Sequence, residues 1–282
     1  MPPVHVFLNI LLILLPFAAA FLLSGKKTNY FLLAGAIVVA LAGYFFSVRP
    51  DILVSIFPFG GALYYANMYP FAVALAIPPA IRLGKNRFHK IRIALLMAAL
   101  FVVALMPYRA FTQPLAKCNP SQPDENGIVL QSSADTCAAA ATATLLARYQ
   151  ITATEQEVVR LAHTTQGRGT HPLGLYRALR ILTAGRKDLH VRIKILSTEE
   201  LIRTNKPAVI TVGIPKHPTT DAEREMATRF NWDPGAVHDV AFLGASKNAT
   251  GKVDIGEPAF GLEQWTYDSL YTLHRGIAIY VE

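Results

Sequence analysis

The chemistry of this chain is first inferred from one segment, Gln131-Ser-Ser-Ala-Asp-Thr-Cys137-Ala-Ala-Ala-Ala-Thr-Ala-Thr-Leu-Leu146. Its alanine-rich part predicts a helix that begins at Cys137. At that position the unpaired backbone N–H groups and the helix dipole favour a thiolate. Gln131 precedes the cysteine by six residues, so the chain can fold back. The Gln131 amide and the Cys137 N–H would then form an oxyanion hole.

A histidine and two carboxylates downstream can complete a nucleophilic site. His238 lies at the start of an apolar strand and can serve as the acid and base partner of the thiol. Asp254 in the next strand, or Glu257 just beyond it, can orient the imidazole. The chain has only two cysteines and no CxxC or HExxH pattern, so neither a metal site nor a cofactor is expected.

The pattern after the cysteine helix predicts further helices and then strands. Thr154 and Glu157 form a capping-box pattern for a helix that ends near Ala162, and a third helix is predicted over 172–182. Apolar segments bounded by turn residues then predict strands. These strands are 191–196, 208–213, 237–244, 252–255 and 277–281. Helices followed by an antiparallel run of strands indicate an α+β fold.

Long apolar runs dominate the N-terminal part and raise the hydrophobic fraction of the whole chain to 52%. A spanning helix needs about 20 mostly apolar residues. The segment 52–81 is interrupted by prolines and glycines and is interpreted as a single broken or tilted span. We therefore predict a four-helix transmembrane region, with spans at Val4–Leu23, Tyr30–Phe46, Ile52–Ile81 and Ile91–Pro107.

The net charge of +8 belongs to the N-terminal part, because acidic and basic residues almost cancel from Tyr108 onward. This distribution argues against nucleic-acid binding, and it orients the spans instead. The basic residues around Lys26 and around Lys85 predict that the first and third loops are cytoplasmic, which leaves both termini outside. The predicted domains are a transmembrane region over 1–107, a linker over 108–127 and an extracytoplasmic domain over 128–282.

Three segments of this last domain resemble the double-glycine leader peptidases, which are papain-like cysteine peptidases that mature bacteriocin precursors. They are the 131–146 segment, the turn Gly169-Thr-His-Pro-Leu-Gly-Leu175, and the stretch 206–261 with its Glu257-Pro-Ala-Phe-Gly261 turn. The resemblance covers about 128–282. It implies a papain-like domain in which Cys137 is the nucleophile, His238 the acid and base, Gln131 the oxyanion donor and Glu257 the orienting acid.

The chain departs from the usual pattern of that family at three positions. Ala138 stands where glycine is usual, Asp239 where an aromatic is usual, and Glu257 where aspartate is expected. Asp254 remains a rival by its spacing from His238, whereas the motif and the strand phase favour Glu257. The segment 215–235, with Phe230 and Trp232, is an insertion before the histidine strand, either a lid over the substrate or a surface loop.

The resemblance implies a thiol protease that cleaves a peptide or protein substrate after Gly-Gly or other small residues, and the four predicted spans place it in the bacterial inner membrane. Its expected partners are that substrate, the lipid bilayer, and an export or membrane protein. The alternative is a catalytically inactive papain-like module that binds a peptide and signals or assembles through its membrane helices.

Overall fold

The computed structural model describes residues 3–25, 28–106, 111–230 and 232–282. Lys26, Lys27 and Pro107, which entered the topology prediction, lie outside the described residues. Two compact units are present, one made of Met1–Leu53 with Gly61–Gln113 and the other of Val54–Gly60 with Pro114–Glu282.

The first unit is helical. Its α5 packs against α1, α2 and α6, and the residues that α5 buries are small or proline, which allows close approach of the backbones. The predicted span 52–81 is divided in the structure, because the Pro- and Gly-rich positions interrupt the helix. The helices of this part of the chain are α1 Pro3–Leu23, α2 Thr28–Val48, α3 Pro50–Ile56, α4 Ala62–Tyr65, α5 Tyr69–Leu83 and α6 Arg87–Leu105. The residues of α3 after Leu53 are assigned to the second unit.

Within the described residues, two helices are long and apolar enough to cross a membrane, judged by length and composition. They are α2 and α6, with mean hydropathies of 2.3 and 2.0. The apolar part described for α1 is the shorter stretch Phe7–Leu23. α5 has 15 residues and, at about 1.5 Å per residue, falls short of the roughly 30 Å hydrocarbon core. Two helices of the described chain therefore meet the criterion, whereas four spans were predicted. The four-helix transmembrane region is not confirmed.

The second unit is built on a six-stranded sheet in the order β1-β6-β2-β3-β4-β5, with every neighbouring pair antiparallel. This mixture of helices and an antiparallel sheet confirms the predicted α+β class. The strands are β1 Val191–Ile195, β2 Ala208–Gly213, β3 Val237–Ala245, β4 Lys252–Glu257, β5 Gly261–Thr266 and β6 His274–Val281.

Helices cover both faces of this sheet. The helices are α7 Cys137–Arg148, α8 Glu155–Ala162, α9 Pro172–Leu182, α10 Thr198–Thr204, α11 Asp221–Phe230 and α12 Tyr267–Leu273. α7 packs on β2, β3 and β4, and α9 packs on β1 and β6. The other face carries a core shared by α10, α11, α12 and the alternate strand residues, with Trp265 and Phe242 fully buried at its centre.

Three elements of this unit were not predicted from the sequence. β5 and α12 lack a clear apolar period, and they form because β5 pairs with β4 and α12 buries Leu270 and Leu273 in the core. α11 lies inside the segment interpreted as a lid or surface loop, and it buries Met226 and Phe230. Tertiary burial supplies the stability that local propensity does not provide.

The segment from Pro114 to Gly127, which falls in the predicted linker, is part of the second unit and is hydrogen-bonded to the rest of it. Ala116 N–H donates to the Thr164 carbonyl, and Glu155 N–H donates to the Ser121 carbonyl. The Asp124 side chain accepts from the backbone N–H of Ile128, which is fully buried. The domain boundaries at 107 and 128 themselves stay a prediction.

The contact of α7 with β4 positions the first turns of α7, the helix that begins at Cys137. A side chain on Gly256 would bring its Cβ within 2.9 Å of Thr144 Cγ2 and 3.0 Å of Ile128 Cδ1. Thr144 Oγ1 also accepts a hydrogen bond from the Val129 N–H at 2.8 Å. Gly256 therefore lets α7, β4 and the segment before Gln131 meet at one point.

We expect Gly256→Ala to lower the free energy of unfolding by about 1–3 kcal/mol, because the added methyl overpacks this contact. The measurement is denaturant unfolding of the detergent-solubilised chain. Gly185→Ala is the matched control, since a Cβ there meets nothing within 4 Å. Equal stabilities of the two variants would contradict the packing argument.

Candidate active site

Cys137 is the first residue of α7, as the sequence predicts. No side-chain oxygen caps this helix, because the Thr136 hydroxyl donates to the Ser133 carbonyl instead, at 2.9 Å. The N–H groups of the first turn are thus left available to an anion. Behind them the helix is anchored by a run of fully buried residues from Ala139 to Leu146. The sulfur is therefore placed by a rigid element.

Gln131 is placed close to the acid turn by a backbone hydrogen bond. Its N–H donates to the carbonyl of Pro258 at 2.8 Å. Its side-chain Nε2 donates to the Ser133 carbonyl at 3.1 Å, within the loop that leads into Cys137. An amide nitrogen carries two N–H groups, so this bond leaves the second one available to another acceptor.

Glu155, a residue that the sequence did not single out, positions the loop beside Gln131. This carboxylate is fully buried at the start of α8. One oxygen accepts from the Ser132 N–H at 2.8 Å, and the other accepts from the Ser132 hydroxyl at 2.7 Å. Its neighbours Thr154 and Glu157 carry the helix-start signal, and nothing in the local pattern distinguishes Glu155 from a solvated first-turn acid.

His238 lies between the sulfur and a carboxylate. Its Nε2 lies 2.9 Å from Glu257 Oε1, and the Cys137 side chain is near enough to raise the pKa of the ring. The ring is 15% exposed and the Glu257 side chain is fully buried.

The electrostatics of the site favour a protonated imidazole. Burial by itself lowers the pKa of His238, but the hydrogen bonds and the charges of Cys137 and Glu257 outweigh it and raise the pKa to about 10. The ring therefore carries a proton at neutral pH and loses it only as the pH rises through about 10. An imidazolium beside a sulfur favours the thiolate form of that sulfur.

The Glu257 carboxylate is held by the hairpin between β4 and β5. Glu257 pairs with Gly261, and Gly261 adopts a positive φ of 98°, a conformation that favours glycine in three-residue hairpin loops. Inside the loop, Ala259 N–H donates to Glu257 Oε1 at 2.9 Å. The same oxygen thus accepts from the loop backbone and from His238.

Asp254, the rival acid, is not brought to the histidine. Its Oδ1 accepts from the Gln264 side chain at 3.3 Å, across the β4–β5 pair. Of the two carboxylates that the sequence left open, Glu257 is the one that contacts His238.

The insertion before β3 contributes an aromatic stack that reaches the histidine. The Trp232 ring lies 5.0 Å from the His238 ring, centroid to centroid, and stacks on Phe230 at 4.7 Å. Phe230 in turn contacts the buried Trp265 at 5.2 Å. The segment thus packs its aromatic end on the core and on one side of the imidazole.

Comparison with solved structures finds peptidase domains among the similar folds. A double glycine motif protease from an AMS/PCAT transporter, solved in complex with the leader peptide, is 20% identical with a TM-score of 0.41; the match covers 60% of this chain and 96% of that chain. The peptidase domain of Streptococcus ComA, a bifunctional ABC transporter involved in a quorum sensing pathway, is 15% identical with a TM-score of 0.41, covering 58% and 98%. The peptidase domain of Streptococcus mutans ComA is 17% identical with a TM-score of 0.36, covering 55% and 98%.

No family model and no curated protein matches the chain. The three structures described above are peptidase domains, and one of them is a double glycine motif protease.

We expect Cys137 to be alkylated at about pH 6 nearly as fast as at about pH 8, because His238, with its pKa raised to about 10, keeps its positive charge near the sulfur across this range. In His238→Ala the rate at about pH 6 should fall at least about tenfold, since an ordinary thiol with a pKa of about 8.5 is almost fully protonated there. The measurement is the iodoacetamide rate followed by peptide mass mapping, which separates Cys137 from Cys118. A steep rise with pH in the wild-type chain would contradict the ion pair.

Proposed function

We propose that this chain is a membrane-anchored cysteine peptidase in which Cys137 is the nucleophile and His238 the acid and base. The observation that carries the proposal is the hydrogen bond between His238 and the buried Glu257, close to Cys137 at the start of α7, with the pKa of the imidazole raised to about 10 by both groups. A helix start, a histidine and a buried acid in hydrogen-bond contact are what thiol-based acyl transfer requires.

Acylation begins when the Cys137 thiolate attacks the carbonyl carbon of the scissile peptide bond. An S–C bond forms, and the carbonyl electrons move onto its oxygen. The Cys137 N–H and the second Nε2–H of Gln131 donate to this oxyanion, and Glu155 holds the loop that carries Gln131. Preorganised donors of this kind each contribute about 10²–10³ in rate.

Collapse of the tetrahedral intermediate breaks the C–N bond. His238 delivers its proton to the departing amine, and the thioester on Cys137 remains. The neutral imidazole then takes a proton from water, whose oxygen attacks the thioester carbonyl and releases the acid and the thiolate. Glu257 keeps the ring in place and stabilises the imidazolium each time it forms.

The resemblance to double-glycine leader peptidases suggests the substrate, namely a peptide or protein cleaved after Gly-Gly or other small residues. The membrane part of the proposal rests on the apolar α2 and α6 together with the sequence pattern of the four spans. With basic loops inside, the domain over 128–282 faces the extracytoplasmic side of a bacterial inner membrane. An export or membrane protein is the partner that such a location favours.

We expect the purified full-length chain to cleave peptides that contain Gly-Gly, with cleavage abolished in Cys137→Ala. Glu257→Gln should lower kcat by about 10- to 1000-fold, because the ring loses the charge that orients and stabilises it. Asp254→Asn is the matched control, removing a carboxylate from the same strand that does not contact His238.

Chromatography and mass spectrometry of the products give the rate and the cleavage position. Cleavage that survives in Cys137→Ala would refute the mechanism. Equal losses in the Glu257 and Asp254 variants would refute the assigned role of Glu257.

The proposed topology predicts that a reporter active only outside the cytoplasm is active when fused after Glu282 and inactive when fused at Lys85. The Lys85 fusion is the internal control, because that loop is basic and should stay inside. Activity at Lys85, or its absence at Glu282 in a stably expressed fusion, would overturn the orientation.

A further inference from the structure

A carboxylate that the proposed mechanism does not use lies next to the catalytic histidine. Asp239 follows His238 in β3, and its Oδ1 accepts a hydrogen bond from the Thr211 hydroxyl at 2.7 Å. Among the described residues its second oxygen has no hydrogen-bond partner, and it is not one of the fully enclosed polar atoms, so part of its surface is accessible to solvent. The side chain is enclosed by protein and yet open on one side.

The open side of Asp239 belongs to the face of the sheet that α7 covers. Alternate residues of a strand share a face, and the β2–β3 register is continuous here. Ala241, two residues along, lies with Thr144 of α7 against Gly256. Ala241 is fully buried, whereas Asp239 and its partner Thr211 are only partly covered. On this face of the sheet, the part that is completely buried therefore ends before Asp239.

This opening adjoins Cys137. Cys137 acts on the pKa of His238 and α7 packs on β3, so the start of α7 lies near the start of β3. In the acyl-enzyme the acyl half of the substrate is covalently attached to Cys137. We expect it to extend from the start of α7 across the neighbouring strand positions that are only partly covered, Asp239 and Thr211.

No Lys or Arg among the described residues forms an ion pair with Asp239. Burial raises the pKa of its carboxyl, and the Thr211 hydrogen bond and the charge of His238 offset this only in part. A half-buried carboxylate with one free oxygen gains most from a cationic hydrogen-bond donor.

We propose that Asp239 determines substrate specificity by binding a Lys or Arg side chain on the acyl side of the scissile bond. The proposal rests on the proposed peptidase function and deepens it. A small residue would occupy the position beside Cys137, and a basic residue one or two positions before it would place its charged group on the free Asp239 oxygen. Thr211 holds the other oxygen and so fixes the direction of the carboxylate.

The test uses the full-length chain and peptidyl chloromethyl ketones that end in glycine and carry lysine or norleucine one or two residues before it. These probes alkylate Cys137 without requiring turnover, and norleucine has the lysine stem without the charge. We expect the lysine probe to inactivate about 10- to 100-fold faster, as a charge-assisted bond in a partly desolvated site would provide. In Asp239→Asn, where the amide oxygen can still accept from Thr211, that ratio should fall to near one.

Two further variants sharpen the result. Asp239→Lys should prefer a glutamate probe, and Asp254→Asn should keep the wild-type lysine preference, because its carboxylate lies across β4 and β5. An equal lysine-to-norleucine ratio in the wild type and in Asp239→Asn would overturn the inference while leaving the peptidase intact. If no peptidyl probe labels Cys137 faster than chloroacetamide does, the proposed function fails, and this inference fails with it.

Discussion

The buried contact between Glu257 and His238 is the interaction on which the second unit depends. A carboxylate with no exposed surface costs several kcal/mol to desolvate unless a cation or strong donors meet it. Here one oxygen accepts from both the Ala259 N–H and the His238 ring. The strand that carries the acid, the hairpin that turns after it and the strand that carries the histidine must therefore be in register before the charge can be tolerated. The fold of the second unit and the geometry of the site thus both require that the buried Glu257 carboxylate be paired.

The other half of the site depends on close packing rather than on charge. Gly256 allows α7 to approach β4, and Thr144 ties that helix to the backbone of Val129. These contacts lie about two turns along α7 from Cys137, so a rigid helix transmits them to the sulfur. Glu155 does the same for the loop that carries Gln131 by taking both donors of Ser132. Buried contacts thereby hold both Cys137, the proposed nucleophile, and the loop of Gln131, the proposed oxyanion donor.

The sequence predicted the elements whose apolar pattern is strong, and it failed where stability comes from partners. β2 begins and ends where its run of buried residues predicts, and α7 and α9 begin at the predicted residues. β5 has polar residues at most positions and could not be predicted, because its pairing with β4 supplies the missing signal. α11 could not be predicted for a similar reason, since it buries Phe230 in a core formed by residues distant in sequence.

By itself the sequence determined the α+β class, the cysteine at a helix start, the histidine at a strand start and the apolar character of the N-terminal part. Those features depend on the hydrophobic periodicity and the residue composition of individual segments, and both can be recognised without knowing the tertiary contacts. Only the tertiary structure decided that Glu257 rather than Asp254 contacts His238, that Glu155 is buried beneath Ser132, and that Asp239 keeps a free oxygen beside the site. Each of these depends on which distant groups desolvate a carboxylate and which donors reach it, and only the folded chain brings those groups together.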